Sequence, residues 1–338
     1  MLGNALVDMY AKCGAHGKAQ KALDEFSIQD VASWTALIAG YVEEGSNHKA
    51  LNCFERMQTE GICPNAITYS LILKACSNIG VIDKGMKIHD DIVNNRLCVI
   101  EKNVMLGTAL LAMYAKCGML AKAQEVHHGI LCRDVISWST LISAYAQHER
   151  GHEALHCFEQ MKSEGFSPDA ITFVCALRAC GGIGAVLQGR QLHEEIDREG
   201  FFETDILVGN ALVDMYAKCD ALVEAQEVFE KLPFQDIVSW TVLISGYAQH
   251  GHGEEALHCL HRMEVEDFVP DLLSYIYCLK ACGTLGFLEI GEEIHAKVRK
   301  EGLLGKSVNL GTALVDMYAK CGLIEKAQEV FDEVESND

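Results

Sequence analysis

At 338 residues the chain is longer than one hydrophobic core usually grows, so two or more domains, or a solenoid, are expected. Hydrophobic residues at 49%, charged residues at 22%, 4 prolines and 7% aromatics form an ordinary soluble composition that favours helix over β-sandwich. The formal charge of −20 opposes the basic surplus that usually marks a phosphate-binding surface. No apolar run is long enough to cross a bilayer, so no membrane partner is expected. No basic, apolar-cored leader opens the chain, which begins Met1-Leu2-Gly3-Asn4-Ala5 and already reads as helix. That start is expected to be a fragment boundary, with any targeting segment outside it.

Taken in chain order, the sequence repeats itself. Met-Tyr-Ala-Lys-Cys begins at Met9, Met113, Met215 and Met317, at spacings of 104, 102 and 102 residues. Ser-Trp recurs at Trp34, Trp138 and Trp240, and Ala-Cys at Cys76, Cys180 and Cys282. Each long unit splits into three helical pairs. Between 206 and 307, one apolar stripe runs through Leu212, Val213 and Tyr216 and breaks at Asp220. It resumes at Ala225, Val228 and Phe229 and stops at Pro233. The next pair runs through Leu243, Ile244 and Tyr247, breaks at Gly251 and Gly253, and continues through Ala256, Leu257, Leu260 and Met263 to Pro270. Asp236 and Asp271 stand where helix N-caps are wanted.

The predicted motifs are 1–30 (short), 31–65 (standard), 66–103 (long), 104–134 (short), 135–169 (standard), 170–205 (long), 206–236 (short), 237–271 (standard), 272–307 (long) and 308–338 (short). The third carries a two-residue insertion around Ile100-Glu101. One pair cannot bury its apolar stripe alone, so neighbours must stack. The expected fold is all-α: one array of about ten helix-turn-helix repeats wound as a right-handed α-solenoid, with a concave face.

Three phrases carry a resemblance: Asn210-Ala-Leu-Val-Asp-Met-Tyr-Ala-Lys-Cys, Val238-Ser-Trp-Thr-Val-Leu-Ile-Ser-Gly-Tyr and Phe173-Val-Cys-Ala-Leu-Arg-Ala-Cys. They resemble the plant pentatricopeptide repeat family, and specifically its subclass of alternating short, standard and long motifs. The tetratricopeptide repeat also pairs helices, but at a uniform length of about 34 residues. The resemblance implies sequence-specific binding of single-stranded RNA, one base per reading repeat. It also implies a mitochondrial or chloroplast setting. An RNA-editing or processing enzyme would act in trans, or through a C-terminal domain missing from this chain.

In the family, the fifth and last residues of a motif choose the base. Here the short motifs supply Asn4 with Asp30, Thr108 with Asp134, Asn210 with Asp236, and Thr312 with Asp338. The standard motifs supply Thr35 with Asn65, Ser139 with Asp169, and Thr241 with Asp271. All can donate or accept toward a base edge. The resemblance implies guanine for Thr-Asp and Ser-Asp, adenine for Thr-Asn and a pyrimidine, usually uracil, for Asn-Asp. The implied target is 5′-U A n G G n U G n G-3′. The long motifs offer Ser70 with Asn103, Val174 with Asp205, and Ile276 with Ser307. Val174 and Ile276 cannot hydrogen-bond a base, so long motifs are expected to act as spacers, with Ser70 a possible exception. Second-position residues Ile136, Ile171, Leu207 and Val238 resemble the residues that sandwich bases; packing of the helix start is the alternative.

Lys12, Lys116, Lys218 and Lys320 recur in the first helix of each short motif and are candidate phosphate contacts; a solvated helix face is the plain alternative. The acidic pairs Glu194-Glu195, Glu254-Glu255 and Glu292-Glu293 fall instead in second helices. The cysteines recur at equivalent positions, Cys13, Cys117, Cys219 and Cys321 among them, and read as small buried hydrophobes rather than bridges or zinc ligands. His89, His193 and His295 share one slot and read as packing residues. Two His-Glu-x-x-His matches, at His148 and His152, suggest a zinc hydrolase. The first straddles a predicted turn, and the second is a chance variant of the repeat. No metal, cofactor or catalytic residue is expected. A protein-binding scaffold of tetratricopeptide type is the alternative function, favoured by the acidic charge.

Overall fold

The computed structural model describes residues 2–25, 30–94 and 103–335. Among them every regular element is a helix. Two compact units emerge, residues 1–175 and 176–338, with the division inside one helix.

Unit 1 opens with α1 (Leu2–Lys12) and α2 (His16–Glu25), then α3 (Val31–Glu43) and α4 (Asn47–Thr59). The pairs α5 (Ala66–Ile79) and α6 (Ile82–Asn94), α7 (Val104–Lys116) and α8 (Leu120–Gly129), and α9 (Val135–Gln147) and α10 (Gly151–Ser163) follow. The division falls in α11 (Ala170–Ile183). Unit 2 continues with α12 (Val186–Glu199), the single turn α13 (Phe201–Thr204), and the pair α14 (Ile206–Lys218) and α15 (Leu222–Lys231). It ends with α16 (Ile237–Gln249) and α17 (Gly253–Val265), α18 (Leu272–Leu285) and α19 (Leu288–Lys300), and α20 (Val308–Lys320) and α21 (Ile324–Glu335). Residues 100 and 101, where the sequence suggests an insertion, lie outside the described residues.

Within each unit the first helix of a pair packs on its own partner and on the first helix of the next pair. Thus α1, α3, α5, α7 and α9 follow one another, as do α14, α16, α18 and α20. The apolar stripes read from the sequence meet in these contacts: Leu212, Val213, Tyr216, Ala225, Val228 and Phe229 are all buried. Trp34, Trp138 and Trp240 are fully buried. The Trp240 ring lies edge-on to Phe229, 4.6 Å between centroids, and Arg262 covers it at 5.2 Å.

Each pair turns on a left-handed residue. Glycine holds that conformation at Gly45 and Gly251, but Glu149 adopts φ 59° in the equivalent turn. Because Glu149 sits in that turn and His148 caps α9, the first His-Glu-x-x-His match does straddle two helices. In the second, Glu153 accepts from Arg150 Nε at 2.7 Å.

The cysteines divide into two kinds. Cys53, Cys76, Cys157, Cys180, Cys259 and Cys282 are buried, and burial pushes their thiols up to about 11 or about 12. Cys13 is exposed, and Cys117, Cys219 and Cys321 are half-buried, so these four are not the buried hydrophobes the sequence suggests. They cap or follow a first helix at its solvent end; Cys117, Cys219 and Cys321 are the C-caps of α7, α14 and α20. His89, His193 and His295 each pack against the first helix of the following pair. Their Nδ1 atoms meet the hydroxyls of Tyr114, Tyr216 and Tyr318 at 2.7, 3.0 and 2.9 Å.

Candidate nucleic-acid interface

The residues before α3, α5, α7, α9, α11, α14, α16 and α18 are N-caps whose side chains are committed before any ligand arrives, whereas Ser307 before α20 makes no side-chain cap bond. Asp134, Asp236 and Asp271 accept from the backbone N–H three residues on, at 2.8, 2.7 and 2.8 Å. Asp30, Asn65 and Asp169 do the same for Ser33, Thr68 and Thr172, at 3.0, 2.9 and 2.8 Å. The N-caps expected at Asp236 and Asp271 are therefore present. A side-chain oxygen at this position satisfies a helix N–H that nothing else reaches. It also fixes where the rest of the group points.

Two of the expected reading pairs are in direct contact. Asn210 donates from Nδ2 to Asp236 Oδ1 at 3.2 Å, and Thr241 Oγ1, whose proton is directed to the carbonyl of Ile237 at 2.7 Å, lies 3.2 Å from Asp271 Oδ1. A third is joined through an intermediate: Thr35 Oγ1 lies 2.8 Å from Thr68 Oγ1, which donates to Asn65 Oδ1 at 2.9 Å. Ser274 links Thr241 to Asp271 in the same way. Ser139 donates to the carbonyl of Ile136 at 3.1 Å, while Asp169 accepts from Thr172. Thr108 Oγ1 is enclosed and has no partner among the described residues. Thr312 is exposed and donates to the carbonyl of Val308 at 2.9 Å. The side chain of Asn4 and the whole of Asp338 lie outside the described residues.

These groups are less open than freely solvated readers would be: Asn210, Thr241 and Ser139 are only 6, 7 and 8% exposed. Only an edge of each is available, which suits a flat base better than a flexible ligand. Sequence reasoning missed the residue three places after the cap. Thr68 and Ser274 are fully buried and couple a hydroxyl in one pair to the cap of the next. The Ser/Thr following each cap in the sequence is the signal that could have exposed them.

The second residue of each first helix points to solvent. Ile67, Met105, Ile136, Ile171, Leu207, Val238 and Leu273 are each about half exposed or more. Ile136, Ile171, Leu207 and Val238, for which the sequence left base contact and packing of the helix start open, thus keep more than half of their surface in solvent. Exposed isoleucine and leucine side chains at the mouth of each hydrogen-bonding edge are apolar walls to which a base ring could stack. In the long motifs Ile276 is buried in the core, whereas Ser70 donates to the carbonyl of Ala66 at 2.9 Å.

The lysines are not equivalent. Lys12, Lys218 and Lys320 donate to Asp8, Asp214 and Asp316 four residues earlier, at 2.8, 2.6 and 2.7 Å. The Asp8 hydrogen bond and charge hold the Lys12 ammonium above the usual lysine range. Lys116 has Ala112 in that place and makes only a long contact to Asn78 Oδ1 at 3.4 Å. Three of the four candidate phosphate contacts thus carry a neutralising partner.

Stacked helical pairs whose first helices follow one another define a helical-repeat protein. The chain belongs to the pentatricopeptide repeat family. The PPR repeat family matches residues 29–78, 133–182 and 235–284, and the PPR repeat matches 210–235 and 312–338. A chloroplastic pentatricopeptide repeat-containing protein of Arabidopsis thaliana is 38% identical over 97% of this chain and 52% of its own length. A mitochondrial one from the same plant is 37% identical over 98% of this chain and 47% of its own. The chain therefore spans about half the length of these relatives. Among solved structures, the pentatricopeptide repeat protein PPR10 in complex with an 18-nt psaJ RNA element has the same fold, with a TM-score of 0.79. That match is 17% identical and covers 99% of this chain and 50% of PPR10. PPR10 from maize gives 0.53 at 19% identity, over 98% of this chain and 53% of that one.

Proposed function

We propose that the chain binds single-stranded RNA with sequence specificity, each short and standard motif reading one base through its fifth and last residues. The observation that carries this is the contact of Asn210 with Asp236 and of Thr241 with Asp271. Residues 26 and 30 positions apart share one small polar edge, flanked by the exposed Leu207 and Val238. Asp is acceptor-only, and Thr241 has donated its proton, so the Thr241–Asp271 edge presents acceptors. Guanine is the base whose Watson–Crick edge offers two adjacent N–H donors, which matches.

On this reading the motif boundaries fall at the caps, in the alternating short, standard and long order of the plant subclass. The RNA would be an organellar transcript, in a mitochondrion or chloroplast, since relatives are named for both compartments. The chain would bind and position, and an editing or processing enzyme would supply the chemistry.

The test is a gel-shift titration at stated salt with fluorescent 5′-UAAGGAUGAG-3′. A control carries adenine for the guanines assigned to Thr108/Asp134, Ser139/Asp169 and Thr241/Asp271. Tighter binding of the first RNA by about tenfold, or about 1.4 kcal/mol, supports the reading. Equal binding overturns base recognition, and no binding to either favours the protein scaffold that the charge of −20 would suit.

A further inference from the structure

The groove between α5 and α7 differs from its counterparts in charge and in chemistry. It is an open groove of about 760 Å³, and its walls include Ile67, Met105 and Ile136 from three successive first helices. Lys74 and Lys116 both line it. Neither forms an ion pair among the described residues, and the carboxylate in the lining is Asp134. Where the repeats carry Asp8, Asp214 and Asp316 to neutralise the lysine four residues on, this one carries Ala112. The counterpart of Lys74 in the last long motif, Lys280, lies over the Tyr277 ring at 5.7 Å, and its neighbour Lys320 is held by Asp316. Unneutralised positive charge therefore collects in this groove in a chain whose net charge is −20.

The hydroxyls of Ser70, Ser77 and Thr108 line the same groove. Thr108 Oγ1 is enclosed and without a partner among the described residues, beside the capping carboxylate Asp134. Ser70 Oγ has given its proton to the carbonyl of Ala66 at 2.9 Å, as Thr35 Oγ1 gives its own to Val31 at 2.6 Å. Asn103, the last residue of that long motif, accepts from the Leu106 N–H through Oδ1 at 3.1 Å. Asn65 accepts from Thr68 in the same way at 2.9 Å. Each amide is left with Nδ2 as a donor, and each hydroxyl with lone pairs. The Ser70/Asn103 pair thus repeats the local chemistry of Thr35/Asn65. The other long motifs put Val174 and Ile276 in the place of Ser70 and offer nothing of the kind.

We propose that the α5–α7 groove is the anchor of the bound strand. It takes two successive nucleotides, adenine against Ser70 and Asn103 and guanine against Thr108 and Asp134, with the linking phosphate on Lys74 and Lys116. The inference rests on the RNA-binding reading above and adds a base-reading long motif and a single electrostatic focus. An Asp-neutralised lysine gains little from a phosphate, because it must give up one carboxylate to meet another anion. Lys116 has no such exchange to make, so its counterion release is available in full.

Fluorescence polarisation with labelled 5′-UAAGGAUGAG-3′ tests both parts in the intact chain. Uracil for adenine at the third base should weaken binding by about tenfold, with under about twofold change at the sixth and ninth bases. Ser70→Val should abolish the third-base preference and leave the guanine preference at the fourth. Ala112→Asp installs the residue the other repeats already tolerate. It should raise Kd by about fivefold and make the log–log salt slope shallower by about 0.7, the loss of one phosphate contact. Indifference at the third base overturns the base-reading part, and an unchanged salt slope in Ala112→Asp overturns the anchor. If the guanine-to-adenine control binds as well as the parent RNA, it is base recognition itself that has failed, and the two failures are read separately.

Discussion

Asn210 on α14 donates to the carboxylate of Asp236, and the same carboxylate oxygen accepts the Ser239 N–H that opens α16, at 3.2 and 2.7 Å. One oxygen thus closes a helix terminus and faces a second repeat. Stability and the candidate base edge are joined at a single atom, so substitutions here should separate by chemistry rather than by size.

Asp236→Asn keeps a side-chain oxygen for the cap, and Asn is as good an N-cap as Asp. It should leave Tm nearly unchanged while altering the base preferred at that position. Asp236→Ala should lose both, at about 1 kcal/mol in urea unfolding, within the ordinary range for a lost cap. A cap-preserving variant with unaltered base preference would count against Asp236 as a reader.

His127 should make the chain acid-sensitive. It is fully buried, edge-on to Trp138 at 4.3 Å, with neither ring nitrogen partnered among the described residues. Burial, with Arg133 beside it, holds the imidazole down at about 4. The folded value lies below the unfolded one, so the unfolded chain binds the extra proton. Stability is full above about 6.5 and falls as pH drops toward about 4, by up to about 3 kcal/mol. Phe229 fills the equivalent slot against Trp240. His127→Phe should raise Tm at neutral pH and flatten the acid limb of a Tm–pH profile. An unchanged limb would place the acid sensitivity with His89, His193 and His295, which burial also lowers.

Trp240→Ala removes a fully buried indole sandwiched by Phe229 and Arg262. A cavity of that size should cost about 3–5 kcal/mol, measured by chemical denaturation. Loss of less than half that would mean the neighbouring helices collapse onto the space.

Glu149→Gly should stabilise. Glu149 holds a left-handed φ of 59° where the equivalent turns use Gly45 and Gly251. Relief of the side-chain clash is worth about 1 kcal/mol, partly offset by the flexibility glycine adds to the unfolded chain. A fall in Tm would show that the glutamate makes a contact that outweighs its strain.

What the sequence determined by itself is local and periodic. The 3.6-residue spacing of Leu212, Val213 and Tyr216 names the buried stripe, Asp236 and Asp271 name the helix starts, and recurrence at 102 residues makes each repeat a check on the others. These follow from bonds within one helix or one turn, so the chain order carries them. Tertiary structure decided what depends on the neighbouring repeat. It exposed Ile136 and Val238, left Cys13 outside the core, joined Thr35 to Thr68 across 33 residues, and set Lys74 beside Lys116 in one groove. Those relationships depend on how two helices some 30 residues apart pack side by side. A one-dimensional pattern records which face a residue occupies, whereas the packing of the next helix decides whether that face is covered, paired or open.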